Sequence, residues 1–196
     1  IGVLDKIGTY GMIVMCVPLL TSDMHWVSLT MMSLAIVAII YGGLAAIVQD
    51  HLYRLISYTS VSHFGFMVLG IFGGSIAGAS GAMVYMVAHG LSIAGLYLIS
   101  GFLVRRTGTA RLSEMGGIAR VSPVIAGTFL FSALASIALP GLSGFVPEWL
   151  VLTGTFSVST AAGLFALLGV VIAALYALWP YQKVFTGAPK EKYVGI

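Results

Sequence analysis

Lys6, His63, His89 and Glu148 can each take up and release a proton, and each falls in a stretch that otherwise reads as a membrane helix. An ionisable side chain near mid-bilayer is costly. It faces a bundle interior or a wet cavity rather than lipid, and it is functional by default. Apart from Lys183 at the far end of the last span, no other Lys, His or Glu lies within the apolar spans, and Asp5 is the only other acid there. His63 belongs to Arg54–Gly70, RLISYTSVSHFGFMVLG, where Ser57, Ser60 and His63 recur at i, i+3, i+6 and share one helix face. His89 belongs to MVYMVAHGLSIAG, where Tyr85, His89 and Ser92 recur at i, i+4, i+7 as one polar stripe. The plain alternative is structural, because such hydroxyls also bond their own backbone or a neighbouring helix. Four titratable groups on four helices, joined by hydroxyls and water, have the makings of a proton wire. Residues and spacing do not say what drives the protons.

The elements that must hold these groups are membrane helices. The chain has 196 residues, of which 59% are hydrophobic and 8% charged. That is too little polar surface for a globule in water, and runs of about 20 apolar residues mean membrane spans. The expected fold is an all-α polytopic bundle with six spans, over about 1–20, 26–48, 55–72, 81–104, 123–158 and 161–185. Pro18 and the turn Thr21-Ser22-Asp23 close the first span, and Trp26 anchors the second at the interface. Gly90 and Ala94 form a small-xxx-small pair that lets another helix approach closely. The segment 73–80 reads as a short uncharged loop and 105–121 as the one long loop, while His25 and His51 read as solvated loop histidines.

The fifth stretch is too long for one straight crossing. At ~1.5 Å per residue, 123–158 would run roughly 54 Å against a ~30 Å hydrocarbon core. Pro140, Gly141 and Gly144 resolve this by breaking the helix. A broken helix at membrane depth is tolerated where it is packed in protein or lines a wet cavity, and it often marks an ion pathway. Pro147-Glu148 then restarts the helix, with a carboxylate suited to a positive helix N-terminus.

Six crossings place Arg54, Arg105, Arg106, Arg111, Arg120, Lys183, Lys190 and Lys192 on one side, which the positive-inside rule makes cytoplasmic. The ninth basic residue is Lys6, inside the first span. The net charge of +3 is thus a property of loops, and no basic groove interleaved with aromatics suggests nucleic acid. Cys16 is the only cysteine, so neither a four-cysteine iron–sulfur site nor a cysteine zinc site can be built. No nucleotide-binding glycine loop is present, and no metal site is expected. The chain begins Ile1-Gly2-Val3, without Met or a basic n-region, and reads as an internal piece of something longer.

Three stretches, LISYTSVSHFGFMVLGIF, YMVAHGLSIAGLYLISGFL and ALPGLSGFVPEWLVLTGTF, together with LDKIGTYGMI, resemble the antiporter-like proton-channel subunits of bacterial NADH-quinone oxidoreductase, respiratory complex I. The resemblance covers essentially the whole chain. It implies two inverted helical repeats, each with a broken helix, of which this chain holds the last helix of the first and all of the second. It implies that Lys6 is the central channel lysine, that His63 and His89 are central-axis histidines, and that Glu148 passes protons onward; Ser60, Tyr85 and Ser92 would support them. It further implies that NADH, FMN, iron–sulfur clusters and quinone belong to other subunits, that sibling membrane subunits are the partners, and that the location is the cell inner (plasma) membrane. Pro147-Glu148-Trp149 replaces the expected Gly-Glu-Phe, Val14 stands where an arginine is frequent, and Leu52-Tyr53 departs from the pattern before Arg54. The other reading kept open is a subunit of a multi-subunit cation/proton antiporter or of a related membrane-bound redox complex.

Overall fold

The computed structural model describes residues 2, 4–19, 25–190 and 193. The predicted turn at Thr21-Ser22-Asp23 lies outside the described residues, as do Ile1, Val3, Leu20 and Lys192. The described residues form helices and no strand: α1 (Leu4–Gly11), α2 (Val17–Leu19), α3 (His25–Ile47), α4 (Leu52–Phe72), α5 (Ile76–Thr107), α6 (Ile118–Val121), α7 (Pro123–Ser136), α8 (Phe145–Val158) and α9 (Thr160–Phe185). Four of these, α3, α4, α5 and α9, are long and apolar enough to cross a membrane. Within its most apolar window α4 is 78% buried, against 33%, 39% and 44% for α3, α5 and α9. The helix carrying His63 is therefore the hub, packed against α3, α5, α8 and α9. The faces turned away from it stay exposed and apolar, including Leu34, Val37, Val87, Leu91, Val171 and Leu175, as a lipid-facing bundle requires.

Local chemistry fixes several boundaries, and some differ from expectation. α5 starts at Ile76, inside the predicted loop, because the Ser75 hydroxyl accepts the Gly78 N–H at 3.0 Å and caps the helix. It runs to Thr107 and ends on Gly108 at φ 71°, a left-handed position suited to glycine. The expected long loop is thus shorter and holds a 3₁₀ turn, Leu112–Glu114, and α6. Pro18 stands one residue before Leu19, the last described residue of the first helical stretch. It sits within α2, behind a π-helical stretch, Met12–Cys16, in which the Val17 N–H bonds the Met12 carbonyl. His51 is a correction as well: it precedes α4, pairs with Arg111 in an isolated bridge, and is half-buried rather than solvated. His25 is exposed.

α7 and α8 are each 14 residues long and are separated by the irregular segment 137–144. There Ala138 (φ 57°) and Gly141 (φ 94°) adopt positive φ, and Pro140 contributes no N–H. Gly144 packs against the Ala135 carbonyl so closely that a Cβ would sit 2.5 Å from it.

The segments around 50, 111–117 and 183–190 meet at one end of the bundle, with Tyr193. Asp50 accepts hydrogen bonds from the Ser113 amide (2.9 Å) and hydroxyl (2.5 Å) and pairs with Lys183 at 3.3 Å. Lys190 reaches the Ser113 carbonyl at 2.8 Å, and the Gly117 amide bonds the Thr186 carbonyl at 3.0 Å. The Ser113 hydroxyl foremost, with Lys183 and the Ser113 amide, holds the Asp50 carboxyl below its usual range.

Candidate proton-relay site

α4 and α5 run antiparallel, and the two polar stripes meet along their shared face. Ser57 bonds the Tyr97 hydroxyl at 2.7 Å, Ser60 bonds His89 Nε2 at 3.1 Å, and His63 Nδ1 bonds the Tyr85 hydroxyl at 2.7 Å. Ser60, His63, Tyr85 and His89 are all buried. The imidazoles of His63 and His89 lie 4.8 Å apart, centroid to centroid. Ser92 does not join them; its hydroxyl turns back to the His89 carbonyl at 3.1 Å. Thr59 likewise bonds its own helix, at Ile56, and Ser62 bonds the Ile39 carbonyl on α3. These three bond backbone carbonyls, the structural role expected of membrane hydroxyls; Ser57 does so too, donating to the Tyr53 carbonyl at 2.8 Å, while Ser60 reaches the His89 ring.

α8 brings Glu148 to the same place. Pro147 falls in the first turn, where a missing N–H costs no helical bond. Gly81 of α5 lets that turn approach: a Cβ there would stand 2.8 Å from the Pro147 carbonyl and 2.9 Å from the Val151 nitrogen. The result is a Tyr85 hydroxyl donating to Glu148 Oε2 at 2.6 Å, with Glu148 only 3% exposed. On its far side, His63 Nε2 bonds the Tyr176 hydroxyl of α9 at 2.8 Å. An unbroken hydrogen-bonded line thus runs Glu148–Tyr85–His63–Tyr176 across four helices.

The directions within that line follow from the donor inventory. Tyr85 has one hydrogen and gives it to the carboxylate, so its oxygen accepts from His63 Nδ1–H. His63 Nε2 then carries the lone pair and accepts from Tyr176. The imidazole is fully satisfied while neutral, which spares the bundle a buried cation.

Lys6 sits on α1, which packs on α5 through small residues. Gly2 lies against the Gly90 carbonyl and Ala94, so the predicted small-residue pair receives the segment that carries Lys6. Thr9 bonds the Lys6 carbonyl at 2.9 Å and touches Met86 Sδ at 2.9 Å. Lys6 Nζ is buried without a hydrogen-bond partner among the described residues, and so is His89 Nδ1. Lys6 lies within electrostatic range of both imidazoles. A groove of about 420 Å³ lined by Asp5, Ser57, Ser60, Val61 and Phe64 runs beside them, between α1 and α4.

Tyr176 was not singled out in the sequence. Its only signal is a phenol in the middle of an apolar span, and nearby Trp179 and Tyr181 made that end look like an ordinary aromatic belt. Pro140, Gly141 and Gly144 lie between α7 and α8, and the Gly144 carbonyl accepts the Glu148 backbone N–H at 3.2 Å. Among the described residues, no group of three or more His, Cys, Asp or Glu stands together to hold a metal ion.

Residues 1–174 match the family described as NADH:quinone oxidoreductase/Mrp antiporter, TM. Over 189 residues the chain is 46% identical to NADH-quinone oxidoreductase subunit M of Mycobacterium tuberculosis, covering 96% of this chain and 34% of that protein. It is 36% identical over 193 residues to the subunit M of Rickettsia bellii, covering 98% and 39%. The chain therefore spans little more than a third of the length of these curated relatives. Among solved structures, respiratory complex I from Thermus thermophilus with bound NADH aligns with a TM-score of 0.89 at 32% identity, covering 97% of this chain and 42% of that one. The Mrp complex from Dietzia sp. aligns at 0.79 with 24% identity, over 85% and 31% of the two chains, and shares the fold. On this evidence the chain belongs to the NADH:quinone oxidoreductase/Mrp antiporter family of transmembrane proteins.

Proposed function

We propose that this chain is the proton-conducting part of a membrane subunit of an NADH-quinone oxidoreductase. It moves protons across the membrane, coupled to NADH oxidation and quinone reduction on other subunits. The observation that carries this reading is the buried line Glu148–Tyr85–His63, which joins a carboxylate to an imidazole through a phenol with no gap longer than 2.7 Å. A structural bundle has no need to bury a carboxylate and two imidazoles together. Lys6 supplies charge to the line. Its ammonium and the Nδ1 of His89 are both buried without a hydrogen-bond partner among the described residues, and water is the usual partner of such groups. Glu148 receives the proton and passes it onward.

In this reading the membrane is crossed six times. α7 and α8, each ~21 Å long, are too short to cross alone and form two halves of one discontinuous crossing. The end that gathers Asp50, Arg111, Lys183 and Lys190 is cytoplasmic by its basic residues, and the membrane is the cell inner membrane. NADH, FMN, iron–sulfur clusters and quinone are bound by other subunits, and sibling antiporter-like subunits flank this one. The chain itself performs no redox step.

The second reading, a cation/proton antiporter subunit, draws on the fold shared with the Mrp complex. The higher identity to NADH-quinone oxidoreductase subunits, 46% against 24%, favours the first. Proteoliposomes holding the complete complex separate the two. NADH and quinone together driving proton translocation support the oxidoreductase. Proton movement driven by a sodium gradient, with none driven by NADH, assigns the antiporter.

A further inference from the structure

Tyr176 ends the hydrogen-bonded line on α9, and what lies beyond it faces the basic end of the bundle. α9 carries Pro180 in its interior. Proline has no N–H, so the Tyr176 carbonyl one turn back lacks its helical donor. Thr59, Ser136, Tyr176 and Pro180 border a cavity of about 20 Å³ whose other walls are apolar, Phe129 and Leu96 among them; it has room for a single water, which needs two to four polar partners. The Thr59 and Ser136 hydroxyls donate to the Ile56 and Ala133 carbonyls at 2.8 and 2.7 Å, so their oxygens still accept. With the Tyr176 carbonyl, the residues bordering the cavity carry three acceptors. Thr59 lies one turn before His63 on α4, toward the end where Asp50 and Lys183 meet.

We infer that Tyr176 and this water-sized cavity form an access arm of the relay, through which protons reach His63 from the basic end. The inference rests on the proton-relay reading above. A protonated water in the cavity gives one proton to the Tyr176 oxygen. Tyr176 passes its former proton to His63 Nε2, His63 passes the Nδ1 proton to Tyr85, and Tyr85 passes its own to the Glu148 carboxylate. One proton has entered and one is stored on Glu148. The imidazole is neutral before and after, having exchanged one tautomer for the other, and the cavity keeps a neutral water. Ser62, which lies against the Tyr176 hydroxyl, accepts its new hydrogen once His63 Nε2–H donates to it. The line is therefore satisfied in both directions.

The test is made in the complete complex reconstituted in vesicles, with Glu148→Gln as the control for the relay reading. Tyr176→Phe keeps the ring and removes the hydroxyl. It is expected to leave NADH oxidation by a soluble electron acceptor intact, to lower NADH-driven proton translocation about tenfold or more, and to raise the solvent deuterium isotope effect on translocation, which a purely structural role would leave alone. Wild-type translocation and isotope effect in Tyr176→Phe, alongside loss in Glu148→Gln, would overturn the arm and leave the relay standing. Both variants pumping normally would overturn the relay reading itself. Should Tyr176→Phe fail to assemble, Pro180→Ala supplies an N–H to the Tyr176 carbonyl and removes one acceptor from the cavity. It is expected to slow translocation severalfold, and unchanged translocation would again overturn the arm.

Discussion

At the scale of single residues, one phenol decides whether the site is a line or a set of neighbours. Tyr85 is the only group touching both Glu148 and His63 by hydrogen bond among the described residues. Tyr85→Phe keeps the packing and cuts the line in two places. In the assembled complex it is expected to slow proton translocation by about a hundredfold, in the range typical of losing a positioned proton-transfer group; a native blue gel shows that assembly is retained. His63, His89 and Glu148 were legible in the sequence because charge is scarce in a membrane span, so each one stands out. Tyr85 was legible through its spacing from His89. Tyr176 was not: phenols are common in such helices, and only the fold reveals which one ends against an imidazole. Ser92 shows the converse limit. Its position on the stripe is right, but its hydroxyl turns back to the backbone of its own helix, a local choice that periodicity cannot express.

At the scale of elements, glycines set the distances. A Cβ on Gly70 would meet the Gly78 carbonyl at 2.6 Å, one on Gly154 the Gly78 nitrogen at 2.5 Å, and one on Gly81 the Pro147 carbonyl at 2.8 Å. These are contacts with backbone, so they cannot be relieved by moving a flexible side chain. Gly81→Ala is expected to cost about 1–3 kcal/mol, as overpacking does, and to lengthen the Tyr85–Glu148 bond by pushing α8 away. A lower thermal midpoint and slower translocation of the purified complex check this. Gly101→Ala, where nothing lies within 4 Å, should change neither. The sequence showed that 123–158 could not be one straight helix, because its length exceeds the bilayer. It did not show where α7 ends and α8 begins, and it placed the start of α5 too late. The Ser75 cap reads as loop chemistry until the amide it serves is known.

At the scale of the whole molecule, the basic end is tied together by Asp50, which joins the segment before α4 to the 3₁₀ turn and to the end of α9. Its carboxyl titrates below the ordinary range, mainly through the Ser113 hydroxyl. A depressed acid stabilises the folded form above its ordinary pKa of ~3.9, and the benefit is lost as pH falls through the lower folded value. The tie is therefore complete at neutral pH. Asp50→Asn should speed hydrogen exchange of the Ser113 and Gly117 amides at pH 7, and the wild type should show the same loosening only in strong acid. Equal exchange at pH 7 would deny Asp50 this role. A basic end was expected from charge counts alone, because the six-span reading assigns eight of the nine basic residues in the sequence to one side. The latch was not, because Asp50 and Ser113 are 63 positions apart.

The account turns on Glu148 as the proton acceptor of the line, and Glu148→Gln in the complete complex tests that most directly. The glutamine keeps the size and a hydrogen-bond acceptor for Tyr85 but cannot take up a proton. NADH-driven proton translocation into vesicles should fall about tenfold or more, while NADH oxidation by a soluble acceptor stays unchanged. Translocation at the wild-type rate and stoichiometry would contradict the relay.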